Sequence, residues 1–105
     1  MAWVWLGVAG ALEVVWAVAL KHSEGFTRPA ATALFVVAGI ASFAFLAQAL
    51  KTIPLGTGYA VWTGIGAVGT AIYGMAVLGE PTDTLRLVSI VLIVAGIAGL
   101  KLATG

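Results

Sequence analysis

Glu13 is the only charged residue in the run Ala2–Leu20. A carboxylate in that position can take up a proton or a cation. Gly10, Glu13, Trp16/Ala17 and Leu20 follow one another at three- and four-residue spacing, so a glycine, the acid and an indole share one helical face. Small residues leave space beside the acid, and the indole offers a π face to a positive guest. An ionised carboxylate in apolar surroundings bears a large desolvation cost. Nothing structural requires that cost, so an acid at membrane depth marks a functional site by default. Two such acids meeting across a dimer would disfavour double ionisation and titrate as a pair. Protons and a cation competing for the same carboxylates would constitute an exchange mechanism.

Other candidates surround this acid. Ser42 is the one hydroxyl in the middle of the second apolar run; it could hydrogen-bond Glu13 or bond back to its own helix. Trp16 and Trp62 lie too deep in their segments for an interfacial belt and read as pocket walls. Tyr59 could donate to Glu13, stack on a bound cation, or anchor at the interface. Gly64 and Gly66 stand near the middle of a glycine-rich third segment, where they permit either a hinge or close helix packing. In the last segment Ser89 and Gly96, seven apart, and Ala95 and Gly99, four apart, form a small-residue stripe that suits helix packing or dimerisation. His22 has no second ligand near it in the sequence and reads as a solvated loop residue, so no metal is expected. No cofactor is expected either. Enzyme chemistry would need a nucleophile–base pair or metal ligands, and the spans offer a single acid.

Four apolar segments must position these groups, at about 2–20, 29–50, 55–78 and 84–102 of the 105 residues, as a single transmembrane domain. Each approaches the roughly 20 residues needed to cross a bilayer. The chain is 62% hydrophobic and 9% charged, where a soluble domain carries about 25% charged residues. Its mean hydropathy is +1.14. A chain this short cannot bury so much apolar surface within itself. The fold class is therefore all-α and integral to the membrane. A net charge of +1 supplies no basic patch for nucleic acid, and the absence of cysteine excludes disulfides and thiolate metal sites. Pro29 suits the first turn of the second helix. Gly79 is placed to cap the third, and Thr82 or Asp83 to cap the fourth. Trp3 and Trp5 read as interfacial anchors, and the basic residues as headgroup contacts.

An even number of spans puts both termini on one side, with Lys51 and Lys101; the other side carries Lys21, Arg28 and Arg86. Orientation follows the Lys/Arg bias, and three against two specifies none. One reading is that short loops give a noisy count. The other is insertion in both directions, and an antiparallel homodimer would bring eight spans and two Glu13 carboxylates together.

The stretches Gly10-Ala11-Leu12-Glu13-Val14-Val15-Trp16, Lys21-His22-Ser23-Glu24-Gly25-Phe26-Thr27-Arg28 and Pro54-Leu55-Gly56-Thr57-Gly58-Tyr59-Ala60-Val61-Trp62-Thr63-Gly64-Ile65-Gly66, with the closing Gly99-Leu100-Lys101, resemble the small multidrug resistance family over the whole chain. Trp16 beside Glu13, with Ser42 opposite, resembles its guanidinium-exporter subtype. The resemblance implies a proton-coupled antiporter working as an antiparallel homodimer in the cytoplasmic membrane of a prokaryote. It implies that Glu13 binds both proton and substrate, that Gly10, Trp16, Ser42, Tyr59 and Trp62 line the pocket, and that Ser42 and Trp16 order the carboxylate. Gly64 to Gly66 would be the bend exchanged between protomers, and the fourth segments would form much of the dimer contact. The expected guest is guanidinium or a small substituted guanidinium ion, a planar donor suited to carboxylates. The alternative is a promiscuous proton-coupled exporter of quaternary ammonium and other lipophilic cationic drugs, which need only charge and aromatic faces.

Overall fold

The computed structural model describes residues 1–104, which form four helices: α1 (Ala2–His22), α2 (Pro29–Ala49), α3 (Leu55–Ala76) and α4 (Thr84–Thr104). Each holds 21 or 22 residues, a length of about 32 Å at 1.5 Å per residue. The three connections are short, so successive helices alternate in direction. The chain thus places the α1–α2 and α3–α4 loops at one end, and the termini and the α2–α3 loop at the other.

Helices α1, α2 and α4 are long and apolar enough to cross a membrane. The sequence predicts four such segments. The difference lies in α3, which has the length and no charged residue but is diluted by glycines, threonines and the polar-tipped Tyr59, Trp62 and Tyr73. Its end also differs from expectation, since the helix stops at Ala76 rather than Leu78, with Val77 as cap residue. Gly79 lies beyond the cap at φ +72°, where a side chain would be strained, and lets the Glu80 N–H reach back to the Gly74 carbonyl at 3.0 Å.

Each loop is held by a few local bonds. The buried Ser23 ends α1: its hydroxyl donates to the Leu20 carbonyl at 2.7 Å and accepts from the Phe26 N–H at 3.2 Å. This lock lets Glu24, Gly25 and Phe26 all take positive φ, which is unusual for two non-glycine residues. Arg28 is extended ahead of Pro29, as the pyrrolidine ring requires, and Glu24 pairs with it at 3.1 Å. At the head of α4 the Asp83 carbonyl accepts from the Leu87 N–H. The Asp83 side chain instead accepts from Arg86 Nε at 2.9 Å, so it forms an ion pair and not the expected side-chain cap.

Helix α1 is central and packs on both α2 and α3, whereas α2 and α3 barely meet. The shared core is Leu6 and Ala9 of α1, Leu46 and Ala49 of α2, Ile53 of the loop, and Val61 and Trp62 of α3. Helix α4 docks on α3 and buries none of its residues. At the terminal end Lys101 Nζ sits 4.9 Å from the centre of the Trp3 ring, and Trp5 stacks on Phe45 at 5.3 Å.

Candidate functional site

The α1–α3 contact is a set of side chains seated on glycines. Ile65 of α3 fills the space above Gly10, Val14 of α1 fills that above Gly69, and the Glu13 carboxylate lies against Gly66. A Cβ at Gly66 would overlap that carboxylate, and one at Gly10 would stand 2.6 Å from Ile65 Cγ2. Gly64 performs the same service on the other face of α3, where a Cβ would come within 2.9 Å of Ile97 of α4. Gly64 and Gly66 therefore both serve close packing, and α3 runs through them as one continuous helix.

Ser42, fully buried, joins three helices. Its hydroxyl donates to the Ala9 carbonyl of α1 at 2.7 Å and accepts from Trp62 Nε1 of α3 at 3.0 Å. These bonds replace the expected contact with Glu13. A mid-helix carbonyl already receives its own helical N–H, so a second donor at Ala9 uses its other lone pair. The Trp62 ring is held between Phe43 and Tyr59, at centroid distances of 5.3 and 5.5 Å. Tyr59 faces outward, 55% exposed, and belongs to the surface of the single chain more than to its core.

Two polar atoms in this region are buried without a hydrogen-bond partner: Glu13 Oε1 and Trp16 Nε1. One is an acceptor and the other a donor, and they lie three residues apart on α1. The Trp16 ring is fixed edge-on to Phe35 of α2 at 5.8 Å. Buried polar groups are ordinarily satisfied, so each exception needs a cause. A carboxyl oxygen in this state needs a proton or a donor-rich guest.

The structure brings Gly10 and Glu13 of α1 to α3, where Glu13 meets Gly66, and sets Ser42 and Trp62 in the core beside this contact. The sequence does not pair Glu13 with Gly66. It does not reveal that Ser42 serves Trp62 rather than the acid. Nor does it pair His22: the ring nitrogen Nε2 lies 2.8 Å from the Tyr73 hydroxyl of α3, so this histidine bridges two helices instead of being merely solvated. The 51-residue separation of that pair leaves no local signal. On α4, Ser89 donates to the Leu85 carbonyl of its own helix, and a Cβ at Gly96 or Gly99 would meet nothing within 4 Å among the described residues beyond its own helix backbone.

Residues 1–93 match the model of the family described as Small Multidrug Resistance protein. The chain belongs to this family. It is similar to proteins named guanidinium exporter: 57% identical to that of Escherichia coli K12, and 56% to those of Citrobacter freundii and Salmonella typhimurium. Each comparison spans 104 residues and 99% of both chains. Membership agrees with the four-helix architecture and its apolar helices.

Proposed function

We propose that this small multidrug resistance protein is a proton-coupled antiporter that exports guanidinium and small substituted guanidinium ions by alternating access. It works as an antiparallel, dual-topology homodimer in the cytoplasmic membrane of a prokaryote, with all four helices spanning. The observation that carries the reading is the buried, unpartnered Oε1 of Glu13 in an apolar helix. Protons and substrate compete for the two Glu13 carboxylates of the dimer. The 57% identity to a guanidinium exporter supports the choice of guest. So does the chemistry: guanidinium is a planar fork of N–H donors matched to carboxylate oxygens and able to stack on aromatic rings.

Each pocket residue then has a role. Gly66 leaves the space the carboxylate needs, and Gly10 lets Ile65 bring α3 close to α1. Trp16 Nε1, a donor without an acceptor, is the group that orders the carboxylate when α1 of the second copy approaches. Ser42 acts at one remove, by fixing Trp62 and α1 through its two bonds. Tyr59, exposed on one chain, closes the pocket in the dimer. The Gly64–Gly66 segment is the hinge exchanged between protomers. The open stripe of Ser89, Gly96 and Gly99 on α4 receives the α4 of the partner.

The test is proton-gradient-driven uptake into proteoliposomes, with guanidinium and a bulky quaternary ammonium ion as competing substrates. Guanidinium exchange that requires Glu13 and resists the competitor is the expected result. Exchange that survives Glu13→Gln defeats the mechanism, and preference for the quaternary ammonium ion moves the chain to the broad drug-exporting class.

A further inference from the structure

A crevice of about 400 Å³ opens between α1 and α3 toward the end of the molecule that carries the α1–α2 and α3–α4 loops. Its α1 wall is Ala17, Val18 and Lys21, and its α3 wall includes Ala67, Thr70, Tyr73 and Gly74. Ala17 and Lys21 continue the face of Glu13 at successive steps of four residues. Thr70 and Gly74 continue the face of Gly66, against which the Glu13 carboxylate lies. The inner end of the crevice is therefore one helical turn from the acid, and its mouth about 12 Å from it along the helix axis. Small side chains keep the crevice open: Ala17, Ala67, Ala71 and Gly74.

Glu80 stands at the mouth. The turn at Gly79 brings it back over the end of α3, where its carboxylate lies against Gly74 so closely that a Cβ there would collide with it. The two ion pairs among the described residues take up Glu24 and Asp83 and leave Glu80 in neither. An acid at a helix C-terminus opposes the macrodipole, so this position gains nothing in stability from its charge. The carboxylate and the terminal carbonyls together make the mouth attractive to a cation.

We propose that Glu80 is an electrostatic steering residue that draws the cation into the α1–α3 crevice, which is the route between Glu13 and this face of the membrane. The inference rests on Glu13 being the transport site. Lys21, on the opposite wall, opposes entry and gives the same field a second, oppositely signed handle.

The experiment compares guanidinium exchange by the full-length dimer in proteoliposomes at low and high ionic strength. A charge at the mouth acts on encounter and is screened by salt, since the Debye length falls from about 30 Å at 0.01 M to about 3 Å at 1 M. Glu80→Gln is expected to raise the KM for guanidinium about three- to tenfold at low salt, with the maximal rate unchanged and the difference lost at high salt. Glu80→Asp keeps the charge and the low KM. A Glu80→Gln protein whose KM and salt response match the unaltered protein overturns the proposal. Should that variant fail to insert, Lys21→Gln carries the test: a KM lowered about two- to fivefold at low salt supports the route, and an unchanged one refutes it. Glu13→Gln runs alongside. Persisting exchange there defeats the transport reading itself, whereas lost exchange there with a silent Glu80→Gln defeats only the route.

Discussion

Gly66→Ala and Gly10→Ala place the same methyl group on the two sides of the α1–α3 contact, and the structure predicts that they fail differently. At Gly66 the new Cβ overlaps Oε1, Cδ and Cγ of Glu13. Those atoms are the free end of a side chain with three rotatable bonds, so the acid moves and the helices stay. The expected cost is one off-rotamer torsion, about 0.5–1.5 kcal/mol, felt in the position of the carboxylate. At Gly10 the Cβ meets Cβ, Cγ2 and Cδ1 of Ile65 at 2.7, 2.6 and 3.1 Å. A β-branched side chain has little rotamer freedom, so α1 and α3 must separate, at an overpacking cost of about 1–3 kcal/mol. Thermal unfolding in detergent and equilibrium binding of guanidinium at fixed pH separate the two effects. Gly66→Ala should unfold within about 1 kcal/mol of the parent yet bind about three- to tenfold more weakly. Gly10→Ala should lose the larger share of stability. Binding is the proper readout, because a hinge glycine would alter turnover while leaving affinity intact. If Gly66→Ala bound guanidinium as the parent does, the placement of the carboxylate on Gly66 would not matter to the site.

Three further outcomes follow. Ser42→Ala strands Trp62 Nε1 in the core and should cost about 1–3 kcal/mol in unfolding experiments, whereas Ser42→Thr, which keeps the hydroxyl, should recover part of it. Guanidinium affinity should rise with pH and then level off, because a proton on Glu13 removes the charge that holds the guest; calorimetry in buffers of different ionisation enthalpy should detect proton release on binding, and an affinity independent of pH would contradict shared occupancy. Gly96→Leu should leave the fold of the single chain unchanged, since among the described residues nothing beyond its own helix backbone lies within 4 Å of a Cβ there, yet it should weaken the dimer in cross-linking.

Much of the architecture was legible because membranes impose simple rules on sequence. Length, scarcity of charge and Pro29 place the helices to within two residues at each end. Helix α3 is the exception in hydropathy, because it exchanges apolar side chains for the glycines that admit Glu13, Val14 and Ile97 to their contacts. Spacing also puts Gly10, Glu13 and Trp16 on one helix, where Gly10 and Glu13 meet α3 and Trp16 meets Phe35 of α2. What spacing cannot supply is the partner across helices. Ser42 has a hydroxyl, and the sequence offers it two recipients, the acid and its own helix. The choice of Ala9 and Trp62 depends on the rotation of α1 against α2. His22 and Tyr73 meet for a similar reason, through the parallel run of α1 and α3.

The polar groups of the core divide into two sets, and the division argues for where the chemistry lies. Ser42 and Trp62 satisfy each other and bind α1, so their network rigidifies the three-helix frame. Glu13 and Trp16 are left with one unsatisfied atom each, although a hydroxyl at position 42 lies in the same core. Had the fold needed those two groups only for stability, apolar residues of similar size would serve as well, since breaking even in the interior requires full satisfaction. A frame that completes its own hydrogen bonds while withholding partners from one acid and one indole keeps those two available to something that comes and goes. On the antiporter mechanism proposed above, a proton neutralises the acid in one state, and a cation with N–H donors pairs with it in the other. Gly66, against which the carboxylate lies, leaves it the room that such an exchange requires.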